Sequence, residues 1–245
     1  IDDAQAIIRK ARIQNLFCME AMWMRFNPLI QQVRDAIAAN EIGDVRYLHA
    51  ELGYKKDPST LSTAEKGHGA LLAFGCYGIS LALFLFGTPN TVQSNWIANQ
   101  EGGDETVALT LSYDEAVVTL CFSERVTLSN DVRIKGTGGA IHVGSPFIDA
   151  TELEIINLQQ LQDRSLLERV RARVKRLWPG QHKSPFEYEL EEANTGFRYE
   201  AQEVTECMAS GKTESTIMPL GDTLTVHRIL DAALQRPHSS MRLDA

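Results

Sequence analysis

The side chains best suited to catalysis or binding lie in or just before an uncharged stretch of the chain, residues 70–86. Cys76 and Tyr77 could supply a thiol and a phenolic hydroxyl from inside it, and Lys66 and His68 precede it. No histidine is placed as an evident base for Cys76, and small thiols are common in buried helices, so we predict that Cys76 is not a nucleophile. Lys66 and His68 stand in a polar, glycine-containing segment, which favours a solvated loop over a position leaning into a cleft.

Metal, disulfide and phosphate sites are not indicated by the spacing of their usual residues. The cysteines form no Cys-x-x-Cys pair and favour free, buried thiols; they are Cys18, Cys76, Cys121 and Cys207. Four histidines lack ligand spacing with cysteines or carboxylates, so we predict no metal site; they are His142, His182, His227 and His238. The cluster Gly136-Thr-Gly-Gly139 lies between two strand-like segments, which favours a hairpin turn over a phosphate-binding loop.

The composition is that of a folded globular chain. Its 245 residues are 44% hydrophobic, which is enough to bury the core of one domain, or of one domain and part of a second. The formal net charge of −8 argues against binding to the phosphate backbone of a nucleic acid. Residues 70–86 are broken by glycines and short for a membrane span, and residues 1–14 do not resemble a signal peptide. We therefore expect a cytoplasmic protein. The basic, amphipathic residues 164–176 favour a solvated helix face, with an anionic membrane or an acidic partner as the alternative.

The elements that would position these side chains follow from capping signals and periodicity. Asp2 and Asp3 suit the start of a first helix. Behind them Ala6, Ile7, Lys10 and Ala11 have helical spacing. Residues 16–19 indicate a short buried strand. Asn27 and Pro28 supply a cap and a first-turn proline for a helix to about residue 40. A surface loop over 55–66 and a buried helix over 69–86 complete this half.

Strand-like alternation dominates the middle of the chain. The predicted strands are 45–54, 91–98, 105–112, 116–122, 126–135 and 140–143, separated by turns at the spacing of an antiparallel sheet. Such a sheet needs cover on one face, and predicted helices at 199–210 and 220–234 can provide it. The sequence therefore predicts an α+β fold, an open, mostly antiparallel sheet covered by helices.

Four stretches together resemble the glucose-fructose oxidoreductase, inositol dehydrogenase and MocA family, and within it the branch similar to dimeric dihydrodiol dehydrogenases. They are Met19-Glu-Ala-Met-Trp-Met-Arg-Phe-Asn-Pro28, Gly69-Ala-Leu-Leu-Ala-Phe-Gly-Cys-Tyr77, Ile134-Lys-Gly-Thr-Gly-Gly139 and Glu214-Ser-Thr-Ile-Met-Pro-Leu220. Each is weak alone, but their order and spacing agree along nearly the whole chain. The resemblance is therefore specific in combination.

The resemblance implies an oxidoreductase that uses NAD or NADP. Family members carry an N-terminal Rossmann domain with a glycine-rich turn and a terminal Glu-Lys-Pro motif, and neither motif occurs here. Residues 1–22 resemble the helix and strand that follow Glu-Lys-Pro, so we interpret them as a remnant of the dinucleotide-binding domain and 23–245 as the substrate-binding and dimerisation domain. Since a dinucleotide pyrophosphate is held at a glycine-rich strand-to-helix turn, no cofactor is expected for this chain alone.

The same resemblance assigns roles to individual positions. Family members carry a proton-handling aspartate and, four residues later, a histidine or tyrosine on the buried helix; here these positions hold Ala73 and Tyr77. Tyr77 is the candidate catalytic residue, although a tyrosine is a poor base near neutral pH without a neighbouring cation. Trp23 and Arg25 match residues near the cleft mouth, where a ring and a guanidinium would orient a cyclic or polyhydroxylated substrate. His68 is the remaining substrate-binding candidate.

Three functional hypotheses follow. The first is the C-terminal half of an NAD(P)-dependent oxidoreductase for a sugar-like or cyclic alcohol, inactive in redox chemistry on its own. The second is a naturally shortened, non-redox homologue that serves as a dimerisation or ligand-binding module. The third is a cofactor-independent lyase or isomerase that uses Tyr77. In each case the resemblance implies a homodimer through the open sheet, which would also protect a broad sheet face.

Overall fold

The computed structural model of the chain describes residues 1–57, 69–100, 102–158, 187–189, 196–235 and 239–242. Its helices are α1 (Asp2–Ile13), α2 (Pro28–Ala38), α3 (Cys76–Phe86), α4 (Gly196–Ala209) and α5 (Leu220–Gln235), with 3-10 turns at Trp23–Phe26 and Phe147–Asp149 and a π-helical turn at Leu71–Gly75. Its strands are β1 (Val45–Gly53), β2 (Thr91–Ala98), β3 (Asp104–Ser112), β4 (Val117–Ser123), β5 (Val132–Gly136), β6 (Gly139–Val143), β7 (Glu152–Asn157), β8 (Glu187–Glu189) and β9 (Ser239–Arg242).

The nine described strands form one open sheet in the order β8-β7-β6-β5-β1-β4-β3-β2-β9. All neighbours are antiparallel except β1 and β4, which run parallel. Along β1, Leu48, Ala50 and Leu52 point into the core and are fully buried, while the residues between them face the other side. Helices α3 and α5 cover the core side. The predicted α+β fold with an open, mostly antiparallel sheet is confirmed.

The predicted buried helix over 69–86 is confirmed, with a π-helical first turn before α3. Gly75 and Gly78 allow the helix to approach the sheet closely, because a Cβ at Gly78 would lie 2.7 Å from the Phe122 ring. Asp104 satisfies the start of the helix by accepting a 2.7 Å hydrogen bond from the Leu71 N–H. Gly69 has a φ of +119°, and a Cβ there would meet the Asp104 carboxylate at 1.8 Å. The glycine is therefore required where the chain enters this helix.

A local capping signal located the start of α2 correctly, and a side chain also caps α5. Asn27 caps α2, since its side-chain oxygen accepts a hydrogen bond of 2.9 Å from the Leu29 N–H, and Pro28 occupies the first helical position. Before α5, the Glu214 carboxylate accepts a hydrogen bond from the Leu220 N–H at 2.9 Å. Both glutamate and asparagine satisfy helix-terminal N–H groups that have no partner within the helix.

Several predicted boundaries differ from the structure. Residues 16–19 are not a buried strand: Leu16 is 54% exposed, and Cys18 makes a single backbone bond, to the Thr213 carbonyl. The buried side of α1 is Ile8 and Ala11, whereas Ile7 is 62% exposed. Strand β5 starts at Val132, not 126, because the Ser123 hydroxyl accepts hydrogen bonds from two following N–H groups and turns the chain. Strands β7, β8 and β9 were not predicted.

Some predictions lie partly or wholly outside the described residues. They concern most of the loop over 55–66, Lys66, His68 and the basic segment 164–176. Within the part of the chain that the structure describes, no helix combines the length and the apolar character needed to cross a membrane.

Candidate active site

Trp23 and Tyr77 are joined side chain to side chain. The 3-10 turn Trp23–Phe26 lies against α3, and the Trp23 Nε1 donates a hydrogen bond of 3.3 Å to the Tyr77 hydroxyl oxygen. The two rings meet edge to face, with centroids 6.4 Å apart. Because the tyrosine oxygen accepts this bond, its own hydrogen remains available for an acceptor elsewhere. The arrangement orients a hydrogen-bond donor beside an aromatic ring.

The start of α4 completes an aromatic wall around Trp23. Phe197 stacks on the Trp23 ring at a centroid distance of 4.7 Å and an interplanar angle of 22°. Gly196 lies directly beneath the same ring, since a Cβ at that position would come within 2.1 Å of it. The predicted helix started at residue 199, so this contact was missed. Phe197 is 58% exposed, which leaves much of its surface available to a ligand.

Glu200 is a further candidate for the site that the sequence reasoning missed. It follows Phe197 by one helical turn and therefore lies on the same side of α4. Its Oε1 is buried and has no hydrogen-bond partner among the described residues, and burial together with the charge of Glu20 raises its pKa. A buried, unpartnered carboxylate oxygen is costly and is a common mark of a functional residue. The spacing of Phe197 and Glu200 was the one available sequence signal.

Cys76 is not an activated thiol. Burial, followed by the charge of Glu20, raises the pKa of Cys76 to about 11, so the thiol is protonated at neutral pH. This agrees with the prediction that it is not a nucleophile. All four cysteines are free; Cys207 is buried, whereas the other three are partly exposed instead of buried as predicted.

Arg25 does not line the cleft mouth, where the resemblance placed it. Its side chain is 0% exposed and donates to the Ser80 hydroxyl at 2.7 Å, the Ser80 carbonyl at 2.8 Å, the Ile217 carbonyl at 3.1 Å and the Asp222 carboxylate at 2.6 Å. Burial lowers the pKa of Arg25, and Asp222 opposes that effect. Because its donors are occupied inside the protein, Arg25 has a structural role and does not contact a substrate directly.

The other two predicted positions contribute differently. Ala73 is exposed within the π-helical turn and offers no polar group. His68 lies outside the described residues, so its substrate-binding role stays a prediction. Of the predicted site residues, the structure thus brings Trp23 and Tyr77 together and places Arg25 behind them.

Neither the glycine cluster at 136–139 nor the start of α1 fits a dinucleotide pyrophosphate. The predicted hairpin at Gly136–Gly139 is confirmed between β5 and β6, and a Cβ at Gly136 or Gly139 would lie 2.2 or 2.0 Å from a backbone carbonyl oxygen. These glycines therefore serve close backbone packing. At α1, the first turn carries Asp2 and Asp3, whose charges would repel phosphate.

No group of three or more His, Cys, Asp or Glu side chains that could hold a metal occurs among the described residues. His182 and His238 lie outside them. The absence of a metal site therefore stays a prediction for the chain as a whole.

Comparison with known proteins gives consistent matches. Residues 30–142 match the model of the GFO/IDH/MocA C-terminal domain. Over 237 residues the chain is 32% identical to trans-1,2-dihydrobenzene-1,2-diol dehydrogenase of Xenopus tropicalis, covering 95% of this chain and 66% of that protein. The human protein of the same name is 29% identical, with 94% and 64% covered. The chain thus spans about two thirds of these relatives or slightly less.

Two solved structures illustrate the likeness of fold. Aldose-aldose oxidoreductase from Caulobacter crescentus, complexed with glycerol, superposes with a TM-score of 0.75 at 16% identity, covering 99% of this chain and 68% of the other. A 3-ketoreductase from Actinomadura kijaniata, in complex with TDP-benzene and NADP, gives 0.69 at 18% identity, with 96% and 65% covered. At these identities the likeness establishes the fold alone.

Proposed function

Because the chain belongs to the Gfo/Idh/MocA family and carries its C-terminal domain, we propose that it is the substrate-binding and dimerisation part of an NAD(P)-dependent oxidoreductase that acts on a sugar-like or cyclic alcohol. The observation that carries the proposal is the Tyr77 hydroxyl, which is oriented by the N–H of Trp23, the residue on whose ring the exposed Phe197 stacks. The cytoplasmic location is part of the same proposal.

The site chemistry suits a ring with one apolar face and polar edges. The exposed Phe197 ring, with the buried Trp23 ring stacked behind it, offers an aromatic surface for the apolar face. The Tyr77 hydroxyl donates to a substrate oxygen, and the unpartnered Oε1 of Glu200 accepts from a second substrate hydroxyl. Glu200 thereby supplies a carboxylate from α4 in place of the one that Ala73 does not offer. These groups bind and orient; the redox step needs the dinucleotide.

We place the dinucleotide on protein outside the described residues, since neither the hairpin at 136–139 nor the start of α1 suits its pyrophosphate. Residues 1–22 are assigned to the end of the nucleotide-binding domain and 23–245 to the substrate-binding domain. The exposed apolar side chains of Ile7 and Ile13 on α1, at 62% and 76%, are consistent with further protein packing there. The choice between NAD and NADP is left to experiment.

The first test uses the product of the complete native gene. Intact mass and calorimetric titration with NAD and NADP are expected to give a product heavier than 27.3 kDa with micromolar affinity for one of them, and residues 1–245 alone are expected to bind neither. Cyclic diols and sugars are then assayed as substrates. A 27.3 kDa product without cofactor affinity would refute the redox function and favour the shortened ligand-binding module or the cofactor-independent lyase or isomerase.

The sheet face opposite the helices supports the homodimer that we propose for this chain. On it, Tyr47 bonds to Thr119 at 2.7 Å, and His49 to Thr119 at 2.9 Å and to Glu51 at 3.2 Å. Val117 beside them is 41% exposed. Neighbouring hydrogen-bond donors and acceptors make such a face complementary to itself across a two-fold axis.

The dimer is tested by Val117→Glu. We expect sedimentation equilibrium to show a dimer for the unmodified chain and an increase in the dimer dissociation constant of about 100-fold for the variant, because an unpaired charge would be buried at the interface. Ile7→Glu on α1 is the control, since Ile7 is an exposed apolar residue away from the sheet. A dimer that tolerates Val117→Glu would exclude this face.

A further inference from the structure

Arg25 ties three distant parts of the chain together behind the aromatic wall. Its guanidinium donates to both the hydroxyl and the carbonyl of Ser80 on α3 and to Asp222 on α5. It also donates to the Ile217 carbonyl in the segment before α5. Arg25 itself is 0% exposed, and its two bonds to Ser80 are fully buried.

The position of Arg25 in the sequence couples these bonds to the site. Arg25 follows Trp23 by two residues within the same four-residue 3-10 turn. Ser80 follows Tyr77 by three residues and lies on the same side of α3, one turn further along. A bond from Arg25 to Ser80 therefore fixes the distance between the elements that carry Trp23 and Tyr77.

The direct bond between Trp23 and Tyr77 is too weak to fix that distance. At 3.3 Å it is longer than a normal N–H···O bond, whereas the two Arg25–Ser80 bonds measure 2.7 and 2.8 Å and involve a charged donor. A buried ion pair is also a poor choice for stability alone, since packed apolar residues of similar volume often stabilise a fold as well or better. A geometric role explains why a charge is placed there.

We propose that Arg25 is a positioning residue that holds Trp23 against Tyr77 and makes their geometry depend on the position of α5 through Asp222. The inference rests on the proposed function, because the pair it positions is the proposed substrate site. Asp222 is 33% exposed, so this end of the clamp can be altered with little disturbance of the core.

The test reads the environment of Trp23 directly. In a background with Trp96→Phe and Trp178→Phe, Trp23 is the sole tryptophan, and its fluorescence reports whether it is packed against Tyr77. Arg25→Met is expected to shift the emission to longer wavelength and to increase quenching by acrylamide. Arg25→Lys should give nearly the same shift in Trp23 emission as Arg25→Met, because a lysine cannot make both hydrogen bonds to Ser80 at once.

Arg34→Met is the matched control. The Arg34 guanidinium lies 5.0 Å from the Phe84 ring centroid, as Arg25 does at 5.3 Å, but it bonds to neither Ser80 nor Asp222. We expect Arg34→Met to leave Trp23 fluorescence unchanged. If Arg25→Met does not fold, Asp222→Asn serves as the test, and we expect a smaller shift of Trp23 emission to longer wavelength. Unchanged Trp23 emission and quenching in a folded Arg25→Met, or in Asp222→Asn if the former does not fold, would overturn the proposal.

Kinetics separate this inference from the proposed function. In the assembled oxidoreductase, displacement of Trp23 by about 1 Å is expected to lower kcat/KM by about 100-fold in Arg25→Met. The fluorescence experiment uses the 245-residue chain and needs no turnover. A fluorescence shift in a protein without redox activity would therefore support the positioning role of Arg25 and contradict the proposed oxidoreductase function. Redox activity with unchanged fluorescence would support the function and contradict the positioning role.

Discussion

Tyr77→Phe is expected to lower kcat/KM of the assembled oxidoreductase by about 100-fold or more, because it removes the one oriented hydroxyl of the proposed site. The aromatic ring and its edge-to-face contact with Trp23 remain. The Trp23 N–H loses its acceptor, which costs about 1 kcal/mol of unfolding free energy where water cannot replace it. Steady-state kinetics and thermal unfolding of the same preparation measure both effects.

Tyr113→Phe is the control for this substitution. The Tyr113 hydroxyl donates to the Gly87 carbonyl at 3.1 Å, and its ring packs edge-on against Phe86 at the end of α3. It thus loses a single hydrogen bond of similar kind, outside the aromatic wall. We expect kcat/KM to stay within about twofold for Tyr113→Phe, as is usual for a change away from the site. Equal losses for the two variants would mean that Tyr77 acts through stability alone.

Glu200→Gln is expected to weaken substrate binding by about 10- to 100-fold, because a hydrogen bond to a charged acceptor contributes about 1.5–3 kcal/mol. Glutamine keeps the size of the side chain and loses the charge. Glu206→Gln on the same helix is the control, since Glu206 is exposed and bonds to Gln202 at 2.7 Å. Calorimetric titration of both variants with the best alcohol substrate measures the difference. Equal affinities in the two variants would remove Glu200 from the site.

The same variant should be more stable than the unmodified chain. The pKa of Glu200 is raised in the folded state by burial and by Glu20, so the protonated form suits the fold better. Its stabilising contribution is complete below the pKa of the unfolded state and is lost as pH rises through the folded-state pKa. Glutamine resembles the protonated form, so the two proteins should be equally stable in acid, diverge as pH rises from the unfolded-state pKa through the folded-state pKa, and differ by a constant amount above it.

The size of this stability gain is limited by solvent. We expect on the order of 0.5 kcal/mol at neutral pH, because partial exposure screens the two carboxylates from one another. Chemical denaturation across the pH range measures it. If Glu200→Gln binds substrate less well and resists denaturation better, Glu200 contributes to function at a cost in stability. A loss of stability that grows with pH would contradict the assignment.

Features set by neighbouring residues could be predicted from the sequence, and features set by distant ones could not. Asn27 and Pro28 determine the start of α2 by local hydrogen bonding and ring geometry, and both are as predicted. The buried side of α1 depends on packing against α5, and the prediction chose Ile7 instead of Ile8. Residues 16–19 have the apolar composition of a strand but pair with no strand in the described sheet.

The site shows the same limit. Trp23 and Tyr77 were identified through a family resemblance, while spacing alone gave no reason to join residues 54 positions apart. The partners of Arg25 lie 55 and 197 positions away, so its burial could not be read from the charge pattern. Glu200 was missed because the predicted helix began too late to include Phe197.

The parallel pairing of β1 with β4 has a consequence for how the chain folds. Strands β2, β3 and β4 form one run of sequential antiparallel neighbours, and β5, β6 and β7 form another. Each run closes short loops and can form early, whereas Tyr47 of β1 must meet Val117 about 70 residues later, at a greater entropic cost. We expect β1 to join last, inserted between two preformed meanders. A ribosome would therefore release β2 and β3 before the central strand β1 can meet either of its neighbours.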